Sequence, residues 1–272
     1  MTANTIPAGR DNQLRVTLPR VIHAEWIKLR SLRSNVLTFP VGAAIVLGMG
    51  IVYSFVFTNP QMVPEEALGD YDPVSMSLSG VSLAQLAFIT LGVLCVTGEY
   101  STGSIKGTFS AVPKRLPVLW AKLAVVTVTT FLAAIVSALV AFFVGQAILG
   151  GAGLRSAQIG DPGVLRALIG TAGYVAGTAF VGVCVGFLIR STAIATTVLF
   201  AVFLILDSIL GLLPLPVYSA IAPFLPSNTA ASFTSLASPA DRLPFWGGLA
   251  MFGVYMVGSA VAAAVVLRSR DA

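Results

Sequence analysis

Charge is the scarcest property of this chain. Only 10% of its 272 residues are Asp, Glu, Lys or Arg, while 56% are hydrophobic and the mean hydropathy is +0.91. Soluble domains carry about 25% charged residues, and a water-facing surface cannot be covered with so few. The scarcity excludes a soluble globular protein and points to a polytopic membrane protein. Apolar runs and short connections use nearly all of the length, so a separate soluble catalytic domain is excluded as well.

Residues that carry chemistry are equally sparse. Histidine occurs once, at His23, which leaves no histidine-based metal site and no convincing base for a catalytic triad. The two cysteines, Cys95 and Cys184, fall inside apolar runs and read as small packing residues, not as disulfide or metal partners. HExxH and GxSxG motifs are absent. The nearest approach to a nucleotide-binding GxxxxGK[ST] is the stretch 98–104. There Ser104 stands where the phosphate-contacting lysine belongs, and the stretch follows an apolar run instead of a strand. No cofactor is expected on this chain.

Proton-coupled carriers place ionisable groups deep in the membrane, and here only Asp207 qualifies. A carboxylate at mid-bilayer costs roughly 2.5–3.5 kcal/mol on insertion scales. Asp207 sits about two helical turns from the outer end of its run, at 3.6 residues per turn. Two readings stay open for it: a pore-lining or helix-pairing residue, or a water-accessible residue at the outer end.

What the chain does have is six apolar runs long enough to span a bilayer, at 36–57, 80–97, 118–149, 164–189, 193–213 and 244–267. The fold expected is an all-α membrane protein, with a polar, disordered tail over 1–17 and one membrane domain over 18–272. The first apolar run lacks a cleavage site and is expected to be retained. Of the 16 lysines and arginines, only Arg155, Arg166 and Arg242 fall on the outer side when both termini are cytoplasmic. Six of the 11 acidic residues lie there: Glu65, Glu66, Asp70, Asp72, Asp161 and Asp241. The net charge of +5 therefore reads as topology, not as nucleic-acid binding.

Small residues recur four apart at Ser137, Ala141 and Gly145, and as GxxxG pairs at Gly173 with Gly177 and Gly182 with Gly186. Such stripes let helices approach closely in lipid. The segment 215–243 is broken by Pro223, Pro226, Asn228 and Pro239. It is too interrupted for a span and reads either as a re-entrant pair of short helices on the outer side or as an interfacial loop.

Two polar stretches stand out. Over 18–35, Ile22, Trp26 and Leu29 recur at helical spacing with Arg20, Lys28, Arg30 and Arg33 around them, a basic amphipathic helix suited to the headgroup layer. Over 98–122, GEYSTGSIKGTFSAVPKRLPVLWAK places one carboxylate, four basic side chains, three glycines and two prolines between two apolar runs. Ser101, Thr102 and Gly103 can start a short helix, Glu99 sits where acidic groups complement a helix N-terminus, and Pro113 ends it. Lys114, Arg115 and Lys122 anchor the return into the membrane. The stretch reads as a cytoplasmic docking element.

The pattern Glu99-Tyr100, Gly103-Ser104-Ile105-Lys106, Ser110, Pro113-Lys114-Arg115 and Lys122 resembles the loop after the second span of ABC-2 type transporter permeases. That family shows E-x-x-x-G-T-I, then a proline, a basic residue and a lysine opening the third span; Ser104 replaces the usual threonine. Glu25-Trp26-Ile27-Lys28-Leu29-Arg30 is similar to the same family's N-terminal E-x-x-K-L/R helix.

The resemblance implies a permease subunit in the cell (plasma) membrane that works with a second permease, identical or different. Energy would come from separate ABC ATP-binding subunits, with ATP bound there and no enzymatic activity in this chain. The helix around Glu99, Tyr100, Gly103, Ile105 and Phe109 becomes a coupling helix seated in a groove of the ATPase. The helix bearing Glu25, Trp26, Lys28 and Arg30 becomes an elbow helix. The usual direction is export, of drugs, antibiotics, peptides, polysaccharides or lipids. Glu99 is expected to pair with Arg30 or Lys28, and Tyr100, Ile105 and Phe109 to make apolar contacts with the ATPase or the elbow helix. The alternatives are a self-contained secondary carrier or channel, and a non-transporting immunity or assembly subunit.

Overall fold

A chain in lipid must satisfy its own backbone donors and acceptors, and the apolar runs do so by coiling into helices. The computed structural model describes residues 16–59, 61–63, 71–236 and 242–269. The expected tail therefore lies outside the described residues except for Val16 and Thr17, as do Glu65, Glu66, Asp70 and Asp241.

Among the described residues the regular structure is all helical. The first helix, α1, is Leu18–Ser31, and α2, Arg33–Phe57, follows after one residue. A short α3, Pro73–Ser77, starts on Asp72, whose carboxylate accepts from the Val74 and Ser75 amides while Pro73 occupies the first turn. Next come α4, Val81–Ser101, α5, Ser104–Ala111, α6, Leu116–Gly151, and α7, Val164–Ile189. Helix α8 runs over Thr192–Leu210 and passes through a π turn at Ala201–Ile205. Two short helices, α9, Leu215–Ile221, and α10, Pro226–Thr234, precede α11, Phe245–Ser269. Six of these helices (α2, α4, α6, α7, α8 and α11) are long and apolar enough to cross a membrane. Helix α6 has 36 residues, about 54 Å at 1.5 Å per residue, well beyond a hydrocarbon core of about 30 Å.

Helices α4 and α7 form the centre of the bundle, with α2 and α6 on one flank and α10 and α11 on the other; α8 packs on both central helices. The central pair touches backbone to backbone. A Cβ at Gly92 would stand 2.1 Å from the Ala179 carbonyl oxygen, and one at Gly182 would stand 2.6 Å from that of Ile89. Only glycine fits either place, which is how small residues bring membrane helices together. Gly177 and Gly186 are used the same way, against Phe252 and Val96, whereas Gly173 faces open space. Ser137, Ala141 and Gly145 are buried as a stripe, with Gly145 against Ser77 of α3. Below it, the Gln146 amide donates to Pro73 O and Ser77 Oγ at 2.8 Å each and accepts from the Ala157 amide at 2.7 Å, fastening α3 and the loop after α6.

The proline-broken segment folds into α9, a 3₁₀ turn at Ala222–Phe224, and α10. Helix α10 tucks between the ends of α7 and α11, where Gly170 and Gly248 leave room for its backbone.

Candidate functional site: a charge cluster joining four helices

The side chains of Glu25, Lys28, Glu99 and Lys122 meet at the end of the bundle where α1, α4, α5 and α6 converge. Lys122 Nζ donates to Glu25 Oε2 at 2.5 Å and to Glu99 Oε1 at 2.8 Å. Lys28 Nζ donates to Glu25 Oε1 at 2.8 Å, to Glu99 Oε1 at 3.2 Å and to Thr108 Oγ1 of α5 at 3.0 Å. Two carboxylates and two ammonium groups thus close a ring. Lys122 and Glu25 are enclosed, with side chains 4% and 3% exposed; Lys28, at 37%, is the member that reaches solvent. Burying such groups is tolerable only because each finds an opposite charge and hydrogen bonds.

Local sequence explains how each member arrives. On α1 the buried positions are Val21, Glu25 and Leu29, a stripe at i, i+4 and i+8. Trp26 is 41% exposed and Ile22 partly buried, whereas Glu25 turns its doubly paired carboxylate inward. Arg30, the other partner expected for Glu99, is exposed and stands outside the ring; Lys28 is the partner that meets it. Glu99 lies in the last turn of α4, not at the start of a helix as the spacing suggested. The helix dipole opposes a carboxylate there, so its two lysines are what stabilise it.

Gly103 links α4 to α5. Its φ of +72° is a left-handed conformation that a side chain would strain. Ile105 and Phe109 of α5 are buried against the bundle, 3% and 8% exposed, with the Arg115 guanidinium over the Phe109 ring. Of the two expected places for these side chains, an ATPase groove or the elbow helix, they turn inward, into the apolar cluster that also holds Val21 and Leu29 of α1, and the outer face of α5 is Lys106, Gly107 and Ser110. Tyr100 is half-buried with the Arg190 guanidinium over its ring at 5.0 Å. Arg190 itself ends α7 in a left-handed turn, φ 59°, and Thr97 Oγ1 meets Thr192 Oγ1 at 2.7 Å. The end of α4 is therefore tied to the α7–α8 turn as well as to α1 and α6.

From the sequence Lys122 reads as an anchor of the return into the membrane, not as a member of a charge cluster, and Thr108 is not singled out. Lys122 had a signal, being the one charged residue inside the run 118–149, and ionisable groups within spans are functional candidates by default. At the opposite end of the bundle, Asp207 Oδ1 accepts from Tyr218 Oη and Asn228 Nδ2 at 3.1 Å each, holding α9 and α10 to α8. Among the described residues no group of three or more His, Cys, Asp or Glu side chains could hold a metal ion.

Six membrane-crossing helices, cross-linked at one end by a buried ring of charge, define a multi-pass membrane protein whose polar work is concentrated at that end. A family model for ABC-2 family transporter proteins matches residues 21–207, well over half of the chain, and the chain belongs to that family. It is thus a membrane permease of ABC transporters, and the matched stretch includes every member of the ring. No curated protein matches the sequence.

Proposed function

We propose that this chain is the membrane half of an ATP-driven exporter. It lies in the plasma membrane with both termini in the cytoplasm and pairs with a second permease subunit. A separate ABC ATP-binding subunit docks on α5, the coupling helix, with α1 as the elbow helix beside it. The substrate is a drug, antibiotic, peptide or lipid-like molecule.

The observation that carries this reading is the ring itself. Helix α5 is short and polar outside, apolar inside, and bonded through Thr108 to Lys28 at 3.0 Å. Lys28 shares Glu99 with Lys122. A push on the outer face of α5 therefore passes through side chains into α1, α4 and α6 together. Discrete charge-pair networks of this kind transmit motion between rigid elements. The chain supplies the lever, and the ATPase supplies the energy.

The test is co-expression of the tagged chain with a candidate ABC ATP-binding subunit, followed by affinity purification and measurement of ATP hydrolysis in lipid. The reading expects a stable complex whose hydrolysis responds to transported substrate. Lys106→Glu with Ser110→Trp, on the outer face of α5, should release the ATPase without lowering the permease's melting temperature. Transport by the chain alone in liposomes, driven only by an ion gradient, would replace this reading with that of a secondary carrier.

A further inference from the structure

Beside the ring lies a cavity of about 400 Å³, enclosed by α1, α2, α4 and α6. That is within the range of small-molecule sites and holds roughly a dozen waters' worth of space, at about 30 Å³ each. Its lining is sorted by depth. Ser34, Ser101 and Thr102 form an exposed polar rim, whereas Leu94, Val125 and Val126 form an apolar inner wall. At 1.5 Å per residue, Leu94 lies about 10 Å from the end of α4, and Val126 about 15 Å from the start of α6. The wall is thus at acyl-chain depth and the rim at headgroup depth. Between the two levels stand Glu99, Lys122 and Asn35.

These three have hydrogen-bonding capacity left over. Lys28 spends all three of its N–H donors on Glu25, Glu99 and Thr108. Lys122 spends two and keeps one. Glu99 Oε1 takes both lysines, while Oε2 has only the Thr108 hydroxyl at 3.4 Å. Asn35 is 2% exposed, borders the cavity, and makes no side-chain hydrogen bond to a described residue, so its amide is open to a ligand there.

We propose that this cavity binds the headgroup of a zwitterionic phospholipid that bears a primary amine. The ring is already neutral, so a ligand with net charge would leave an uncompensated charge in a partly buried site. A zwitterion does not. Its phosphate takes the third Lys122 N–H and the Asn35 amide, its ammonium donates to Glu99 Oε2, and an acyl chain lies along Leu94, Val125 and Val126. A primary ammonium brings three donors; a quaternary one brings none, so the site distinguishes the two. The apolar wall selects the lipid over its water-soluble headgroup. This site is independent of whether an ATPase drives the bundle.

The experiment uses the full chain, delipidated in detergent and then exposed to mixed micelles of phosphatidylethanolamine, phosphatidylcholine or phosphatidylglycerol, with retained lipid counted by native mass spectrometry. Phosphatidylethanolamine should be retained at least about tenfold over either competitor, the equivalent of 1.4 kcal/mol. Asn35→Leu and the rim variant Ser34→Trp should each abolish that preference while the delipidated proteins melt as the parent does. Should Asn35→Leu fold poorly, Ser34→Trp alone still decides. Equal retention of the two zwitterionic lipids, preference for phosphatidylglycerol, or displacement by soluble glycerophosphoethanolamine at equal concentration would each overturn the proposal.

Discussion

Replacing Lys122 with methionine removes one ammonium from the ring and leaves both carboxylates in place. The side chain keeps its length and its apolar contacts, so the change isolates charge. Glu25 and Glu99 then depend on Lys28 alone, at 2.8 and 3.2 Å. Removing one partner of a buried ion pair costs about 3–5 kcal/mol, because the opposite charge is left uncompensated. Lys28 is more than a third exposed and water screens its share, so the lower end applies, about 3 kcal/mol. At about 2–4 °C per kcal/mol for a chain of this size, the melting temperature should fall by roughly 6–12 °C. The assay is thermal unfolding of the purified protein followed by tryptophan fluorescence; Trp26 on α1 and Trp120 on α6 report from helices that carry the ring. The double variant Lys122→Met with Glu25→Gln restores neutrality around the Lys28–Glu99 pair and should regain at least half of the loss. The exposed Lys106→Met should shift melting by less than about 2 °C. The reasoning is refuted if Lys122→Met melts within 2 °C of the parent, at about the scale of a surface substitution, or if the double variant melts below the single one.

Four further outcomes follow from the packing. Gly182→Val puts a side chain where a Cβ already stands 2.6 Å from the Ile89 carbonyl oxygen; it should cost about 1–3 kcal/mol or more and broaden the size-exclusion peak. Gly173→Ala, facing open space, should be neutral or gain up to about 1 kcal/mol from helix propensity. Gln146→Leu strips the Ala157 amide and the Pro73 carbonyl of their partner; a melting loss of about 1–3 kcal/mol is expected, and no loss would mean that the amide fastens nothing. Asp207→Ala cuts both side-chain links from α8 to α9 and α10; hydrogen exchange should accelerate over 215–236 and stay unchanged in α4 and α7, while a uniform change across the bundle would contradict a local latch.

Some of this architecture is legible in one dimension because lipid imposes a simple rule: about twenty apolar residues make a span. The six long helices and the α5 bracket between Gly103 and Pro113 follow from spacing and charge, whereas a partner for Glu99 on α1, Arg30 or Lys28, is what the family resemblance implies. The buried face of α1 does not. Hydropathy ranks Trp26 above Glu25, but a carboxylate held by two lysines is cheaper to bury than its isolated transfer cost suggests, and the second lysine comes from a helix 97 residues away. The inward turn of Ile105 and Phe109 is hidden for a related reason, since a short amphipathic helix between two spans has apolar partners on its own bundle and, equally, on any partner protein. The seat of α10 depends on Gly170 and Gly248 in other helices, which no local pattern in 215–243 reveals. In α8, the π turn at Ala201–Ile205 adds a residue to one turn, shifting the face on which Asp207 lies relative to a regular 3.6-residue count.

The neutrality of the ring has an electrical consequence. A membrane potential acts on net charge, at about 2.3 kcal/mol per elementary charge per 100 mV. Two carboxylates and two ammonium groups held within 2.5–3.2 Å of one another move as a unit with no net charge. Voltage therefore neither helps nor resists a stroke that carries all four along the membrane normal. The ring is thus a cross-link among α1, α4 and α6 that is itself electrically silent, and its own displacement keeps the same cost in a charged or discharged membrane.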